Sequence, residues 1–225
     1  MKRAVIIVAG GKGTRMGSSL PKQFMQIGGH PILCRTIEKF RQFDPTITII
    51  ISLPTQWLNA WVQLSAGYIA PNSYIMAEGG EQRYHSVKNA LMKVPNDIDL
   101  IGVHDGVRPL VSVKTIANAY TEAALHGNAV PCIAPPESIR IVNADDTNAP
   151  IDRNTVKLIQ TPQVFAADML RAAYSLPYTP EFTDDASVVE RHGIPIHLID
   201  GDRQNIKITT IDDLRYAEYL VKNES

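Results

Sequence analysis

The chain opens on an unbroken apolar run, Ala4 to Val8, made mostly of β-branched residues. Such a run predicts a strand buried on both faces of a parallel sheet, whereas strict alternation predicts a strand with one face in water. Further strand-like runs lie at Thr46–Ile51, Tyr74–Met76, Asp99–Val103 and Asn128–Ala134. Between them the apolar positions change to helical spacing. Pro31-Ile32-Leu33 leads into a helix with Ile37 and Phe40 on one side, and Asn59 to Leu64 reads as part of another, with Trp57, Trp61 and Leu64 at near-helical intervals. Ser112 starts a helix in which Val113, Ile116, Ala117, Tyr120 and Ala124 keep the i, i+3, i+4 pattern until Gly127 stops it. Strands alternating with helices at this spacing predict βαβ units. The expected fold is therefore α/β, a Rossmann-like, mostly parallel sheet flanked by helices.

Residues 135–155 break the rhythm. Ser138 to Val142 alternates, Asn143 to Asn148 is a polar, turn-rich tip, and Ile151-Asp152-Arg153 returns, which predicts a protruding β-hairpin. A lone hairpin is marginally stable in water, so a partner subunit is the expected support. The chain then resumes with Val156–Gln160, a helix around Ala167–Leu176 and a helix opened by Thr183-Asp184-Asp185 and closed by Gly193 and Pro195. A last strand, Ile206-Lys207-Ile208, precedes a C-terminal helix opened by a Thr210-x-x-Asp213 capping box, with Leu214, Ala217 and Val221 on its buried face. This gives one domain over residues 1–225, with 135–155 as an inserted arm.

Composition narrows the function classes. A 225-residue chain can bury roughly 75% of its unfolded surface and needs no staples. An apolar fraction of 44% with 20% charged residues is ordinary for a globular protein. Net charge of −1 leaves no footprint for nucleic acid or an acidic membrane, and no apolar run reaches the ~18 residues of a membrane span. Cys34 and Cys132 form no CxxC, so they are expected to be reduced, buried thiols. With no cleavable leader pattern at Met1-Lys2-Arg3, a cytoplasmic location is expected.

The chemistry concentrates in loops behind the strands. Ala9 to Phe24, AGGKGTRMGSSLPKQF, joins Gly10, Gly11 and Gly13 to Lys12, Arg15 and Lys22 at the carboxyl end of the first strand. Ligands bind there in open α/β sheets, and glycines let backbone N–H groups approach an anion, so the stretch is read as a triphosphate cradle. It is neither a P-loop, since Gly13 follows Lys12 where Ser or Thr is required, nor a dinucleotide fingerprint, since Met16 takes the third glycine's place. Its plain alternative is a tight turn with solvated cations. Gly79-Gly80-Glu81-Gln82-Arg83-Tyr84-His85-Ser86 is either another tight turn or a base pocket lined by Gly80 and the Ser86 hydroxyl. His104-Asp105-Gly106-Val107-Arg108-Pro109 puts a carboxylate at a strand's end, suited to Mg²⁺ facing phosphates. The alternative is a surface ion pair of Asp105 with Arg108, worth about 0–1 kcal/mol. His104 has no ligand partner at useful spacing and is expected to be structural.

AGGKGTRMG, LPKQF, VHDGVRP, DRN, QTPQVF, FTDDAS and NIKIT appear in order between Ala9 and Thr209, and the likeness they carry covers about residues 3–222. The set resembles the 2-C-methyl-D-erythritol 4-phosphate cytidylyltransferases, enzymes of non-mevalonate isoprenoid synthesis. The resemblance implies a Mg²⁺-dependent homodimer that joins CTP to a polyol phosphate and releases pyrophosphate. It implies charge stabilisation at the α-phosphate by Arg15 and Lys22, and CTP contacts by Ala9, Gly10, Gly11, Gly13, Lys22, Gly80, Ser86 and Asp105, with Asp105 on the metal. It also implies substrate contacts by Arg108, Ser138, Arg140, Arg153, Thr161, Thr183 and Lys207. Arg153 and Lys207 would hold the attacking phosphate, Arg153 reaching across from the second subunit's arm. Some fused members carry a second synthase domain, for which this chain is expected to be too short. Ser138 stands where the family usually has Thr, Glu81 where Asp is common and Gly106 where Ala is common. A sibling family making CDP-ribitol from ribitol 5-phosphate shares LPKQF, TPQ and NxKIT but fits less well at Asp152-Arg153 and around Thr183 to Ala186. A reading from a different class is a catalytically silent nucleotide-binding module, which would not need Arg15, Lys22 and Asp105 together.

Overall fold

In a computed structural model of the chain, which describes residues 1–11 and 21–223, the opening run becomes β1 (Arg3–Val8). Val5 and Ile7 face one side of the sheet, Ala4 and Ile6 the other, and all four are buried. The run is unbroken because both faces are covered. Parallel strands flank it: β4 (Thr48–Leu53) on one side and β6 (Leu100–Asp105) on the other, with β5 (Ile75–Glu78) parallel beyond β4. Past β6 the eight-stranded sheet turns mixed. β11 (Gln163–Ala166) runs antiparallel between β6 and β7 (Asn128–Ile133). β7 also pairs with β10 (Leu158–Ile159), antiparallel, and with β12 (Leu198–Asp200), parallel.

Helices cover the two faces. α1 (Ile32–Phe43), α2 (Leu58–Ser65) and α4 (Val113–His126) bury their apolar stripes in one core, which holds Phe40, Trp61 and Tyr120. α3 (Arg83–Leu91), α5 (Ala167–Ala173) and α6 (Asp185–Arg191) build the other, which holds Tyr84, Phe165 and Leu170. A smaller cluster of Ile27, Ile32, Val107, Leu110, Ile208 and Ala217 seats α7 (Ile211–Lys222) beside the short ladder of β2 (Gln26–Ile27) and β3 (His30–Pro31). Trp61 is fully buried and stacks on Phe24 at 5.8 Å, as a packing anchor does. Both cysteines are free and buried, and no helix among the described residues is long and apolar enough to cross a membrane.

Local signals set the helix ends. The Ser112 hydroxyl accepts from the Thr115 N–H, and Gly127, at φ +83°, closes α4 with a hydrogen bond to Ala123 O. Asp184 with Ser187 and Thr210 with Asp213 form capping boxes at α6 and α7. Each such cap is worth about 1 kcal/mol.

Three expectations need correction. Residues 206–208 are no strand: Ile206 and Ile208 do alternate around Lys207, but they pack into the small α7 cluster, and Ile208 N–H bonds to Val107 O of a loop rather than to a ladder. β11 and β12 were absent from the sequence reading, since their few residues are recruited by neighbours on β6 and β7 rather than marked by a run of their own. The hairpin comprises β8 (Ile139–Val142) and β9 (Asn148–Ile151), in register from Ile139↔Ile151 to Val142↔Asn148. Its return strand therefore starts earlier than expected, and Arg153 begins a 3₁₀ turn capped by the Asp152 side chain.

Candidate active site

β1 pairs first with β4 and later in the chain with β6, so the strand order reverses at β1, and a crevice opens at the carboxyl ends of these strands. The register sets Val8 opposite Asp105. The ladder runs one step further, Gly106 N–H bonding to Val8 O and Ala9 N–H to Ser52 O, before the loops diverge. The resulting cleft of about 320 Å³ is walled, among the described residues, by Val8–Gly11, Lys22, Gln23, Gly80–Arg83, Ser86, Asp105, Val107 and Lys207.

The walls are built to hold their shape. The Gln23 amide donates to Ala9 O at 2.7 Å, tying the LPKQF segment to the first loop. Lys22 is only 8% exposed, and a Cβ on Gly11 would come within 3.5 Å of its Cε, so the lysine stem lies along that loop. On the opposite wall the Gly80 N–H donates to Ser86 Oγ at 3.0 Å, while that hydroxyl donates to Gln82 O. Ser86 thus fixes the turn at the start of α3 in addition to facing the cleft. A Cβ at Gly80 would lie 2.3 Å from His85 Cβ, so only glycine fits there.

Asp105 is the electrostatic centre. Its carboxylate lies 3.1 Å from Lys207 Nζ, 3.2 Å from Arg108 Nε and 3.9 Å from Arg83 Nε. Burial pushes the Asp105 carboxyl up, but Arg83, then Lys207, then Arg108 outweigh it and hold the group far below the usual carboxylate range. The cations thus favour its ionised form. Arg83 is shared: its Nη2 donates to Asp185 at 2.6 Å, and Tyr174 O–H donates to the other oxygen of Asp185 at 2.7 Å. Burial pulls the Arg83 guanidinium down, yet Asp185 and then Asp105 more than restore it.

A second network fixes the Asp105 backbone. Its N–H donates to Thr161 Oγ1, Thr161 lies 3.0 Å from His104 Nδ1, and His104 Nε2 lies 3.2 Å from Arg108 O. A carbonyl only accepts, so Nε2 carries the proton and Nδ1 accepts from Thr161. Burial pushes His104 down to about 4, consistent with the structural place expected of it. Arg108 Nη1 also donates to Asn205 O, and Asn205 donates to Thr161 O. The 160–161, 105–108 and 205–207 segments are thus locked together.

The structure brings together Ala9, Gly10, Gly11, Lys22, Gly80, Ser86, Asp105 and Lys207. Gly13 and Arg15 lie outside the described residues. Arg108 and Thr161 sit behind the cleft, bracketing Asp105. The Asp105–Arg108 pair exists, but as part of a buried cluster rather than on the surface. Thr183 is exposed beside the α6 cap, while Ser138, Arg140 and Arg153 ride on the exposed hairpin away from this cleft, Arg153 donating to Pro136 O. The sequence reading gave no role to Arg83, whose partner Asp185 is 102 positions distant, nor to Gln23. The one available signal was their position, an arginine opening a helix after Gly-Gly and an amide beside Lys22.

A glycine loop and converging cations around a carboxylate, at the reversal point of a mostly parallel sheet, place the chain in the class of α/β proteins that take a ligand at the carboxyl ends of their strands. Comparison with known proteins narrows the class. A sequence profile described as 2-C-methyl-D-erythritol 4-phosphate cytidylyltransferase matches residues 3–223. The protein of that name from Bacteroides fragilis is 48% identical over 221 residues, 98% of this chain and 100% of its own. The crystal structure of the enzyme of that name from Thermus thermophilus superposes with a TM-score of 0.78 at 30% identity, over 99% of this chain and 100% of that one. The 4-diphosphocytidyl-2C-methyl-D-erythritol synthase of Anaerococcus prevotii shares the fold, with a TM-score of 0.84 at 22% identity over 99% of this chain and 96% of that one. The chain belongs to the 2-C-methyl-D-erythritol 4-phosphate cytidylyltransferase family.

Proposed function

We propose that this chain joins CTP to 2-C-methyl-D-erythritol 4-phosphate, giving 4-diphosphocytidyl-2-C-methyl-D-erythritol and pyrophosphate, a step of non-mevalonate isoprenoid synthesis. The observation that carries the proposal is the convergence of the glycine loop, Lys22, Asp105 and Lys207 on one cleft, within a chain of this family. The attacking group is a phosphate monoester with a second pKa of about 6, already largely dianionic at neutral pH. It needs no general base, and the described cleft walls carry no Ser/His or Cys/His pair. Attack is in line on the α-phosphorus, and the P–O bond to pyrophosphate breaks as the new one forms. Catalysis then rests on orientation and on cations placed where charge develops.

In this reading the N–H groups of Ala9, Gly10 and Gly11 line the triphosphate, and Lys22, with Arg15, takes up charge on the α-phosphate and leaving group. Gly80 and Ser86 border the cytosine. Asp105 suits Mg²⁺: a carboxylate whose ionised form is favoured, facing a phosphate site, is the donor that ion takes alongside phosphate oxygens and water. The ion would supply charge neutralisation on the triphosphate. Lys207 has a half-exposed side chain, able to leave Asp105 for an incoming phosphate. Arg108 and Thr161 keep Asp105 in position.

The family reading also makes the protein one domain with residues 135–155 as a dimerisation arm. One feature supports it: Ile141 and Val142 are 53% and 66% exposed on a hairpin with little of its own chain to cover it. The partner's arm would bring Ser138, Arg140 and Arg153 to the polyol phosphate, beside Thr183. Free buried thiols support a cytoplasmic setting. Pyrophosphate release from CTP and Mg²⁺ is measured with 2-C-methyl-D-erythritol 4-phosphate and ribitol 5-phosphate in parallel. Turnover with the methylerythritol substrate alone is expected. Preference for ribitol phosphate would transfer the chain's activity to the sibling reaction, and silence with both would overturn catalysis.

A further inference from the structure

At the far end of the sheet from the cleft, the last turn of α4 meets the segment entering β12. Glu122 and His126 share one face of the helix at i, i+4, and His197 comes from the other element. Glu122 Oε2 lies 3.4 Å from His126 Nε2 and 3.5 Å from His197 Nε2, and the three donor atoms all fall within 4.8 Å of one another. These separations are long for charge-assisted hydrogen bonds, which span about 2.7–2.9 Å. The two glutamate–histidine separations match another geometry: a tetrahedral ion with bonds of ~2.0–2.1 Å spaces its ligand atoms roughly 3.3–3.4 Å apart. We propose that Glu122, His126 and His197 bind a divalent transition ion of the zinc type, with a fourth position left to water.

The supporting backbone is fixed before any ion arrives. His197 N–H donates to Asn128 Oδ1 at 2.8 Å, and its carbonyl accepts from Val130 N–H at 2.9 Å, so the residue is stitched to β7 on both sides. Asn128 is buried and also donates to Pro195 O. The imidazoles stack at 4.0 Å with 23° between their planes, so binding splays two half-exposed rings about χ2 and leaves the main chain in place. Two imidazoles and a carboxylate suit zinc and its neighbours rather than Mg²⁺, which takes oxygen donors. The thiols offer no rival site: both are buried, and burial pushes Cys34 up to about 12. Bound there, the ion cross-links α4 to the start of β12 and favours the folded state by mass action.

The test uses chelator-stripped protein in excess Mg²⁺, which occupies oxygen-donor sites, titrated with Zn²⁺ by calorimetry and with Co²⁺ followed by its visible absorption. One equivalent is expected to bind, with a Co²⁺ spectrum of low coordination number. Outer-shell partners alone change metal affinity by about 10–100-fold, so His197→Ala and Glu122→Gln should each weaken binding on the order of 100-fold, and Asp105→Asn should leave it unchanged. Zn²⁺ should raise the melting temperature of wild type but not of His197→Ala. Glu122→Gln, a conservative change on the helix surface, keeps the test open if the histidine variant folds poorly. Absence of one-equivalent Zn²⁺ binding, or equal affinity in wild type and both ligand variants, would overturn the proposal.

Discussion

His104 allows a sharp test of how the Asp105 loop is held. The ring is fully buried, edge-on to Phe40 at 5.0 Å, and is neutral because each nitrogen already has a partner of the right kind. A second proton on Nδ1 would face the Thr161 hydroxyl, forcing it to stop donating, and would put a charge in the core. The unfolded chain has neither restriction and protonates near 6.5. Burial sets the folded value down at about 4. Between those values the unfolded state binds more protons than the folded one, so stability is full above pH 6.5 and falls as pH drops toward 4. A gap of about 2.5 units at 1.36 kcal/mol each is on the order of 3 kcal/mol, a large share of a typical folding stability. Urea unfolding at steps between pH 7.5 and 4.5 measures it, with His104→Gln as reference, since Gln offers a donor and an acceptor but does not titrate. Wild type should lose on the order of 3 kcal/mol more than the variant over that range. Parallel pH profiles would refute the reasoning and show that the imidazole protonates in place.

Other substitutions probe the cleft. Arg83→Met leaves fully buried Asp185 with Tyr174 alone and should destabilise by about 3–5 kcal/mol, much of it recovered in the Arg83→Met/Asp185→Asn double variant, as denaturant midpoints would show. Gly80→Ala drives a methyl into His85 and should cost about 1–3 kcal/mol in melts while weakening CTP binding by calorimetry. Lys22→Ala should lower turnover on the order of 10²-fold; a near-normal pyrophosphate-release rate would remove it from the reaction. Arg153→Ala should raise KM for the polyol phosphate with CTP affinity retained, and loss of CTP binding instead would show the arm to be misplaced.

The parts of this molecule that could be read from its sequence are those whose cause is local. β1 and β4 are written as unbroken apolar runs and α4 in a period of 3.6, and Ser112, Gly127 and Asp184 mark boundaries through hydrogen bonds spanning only a few residues. The first-loop residues were readable because strand, glycines and cations follow one another in the chain. What stayed hidden depends on distant partners. Arg83 matters through Asp185, Thr161 through the backbone of Asp105, and β11 exists only because β6 and β7 leave a gap between them. The Ile206–Ile208 alternation misled for the same reason: it reports which side is apolar, not whether the neighbour is a strand or a loop.

β11 is also the seam of the sheet. Among the described residues, the β5-β4-β1-β6 half and the β7 half share no ladder except through its four residues. On a ribosome adding 5–20 residues per second, the roughly 60 residues between the end of β6 and the end of β11 take about 3–12 s to make. For that interval β6 presents an open edge, joined by β7 for about its second half, a template for pairing with neighbouring nascent chains. A substitution that weakens β11 would therefore surface as insoluble protein during synthesis, with normal kinetics in whatever fraction escapes.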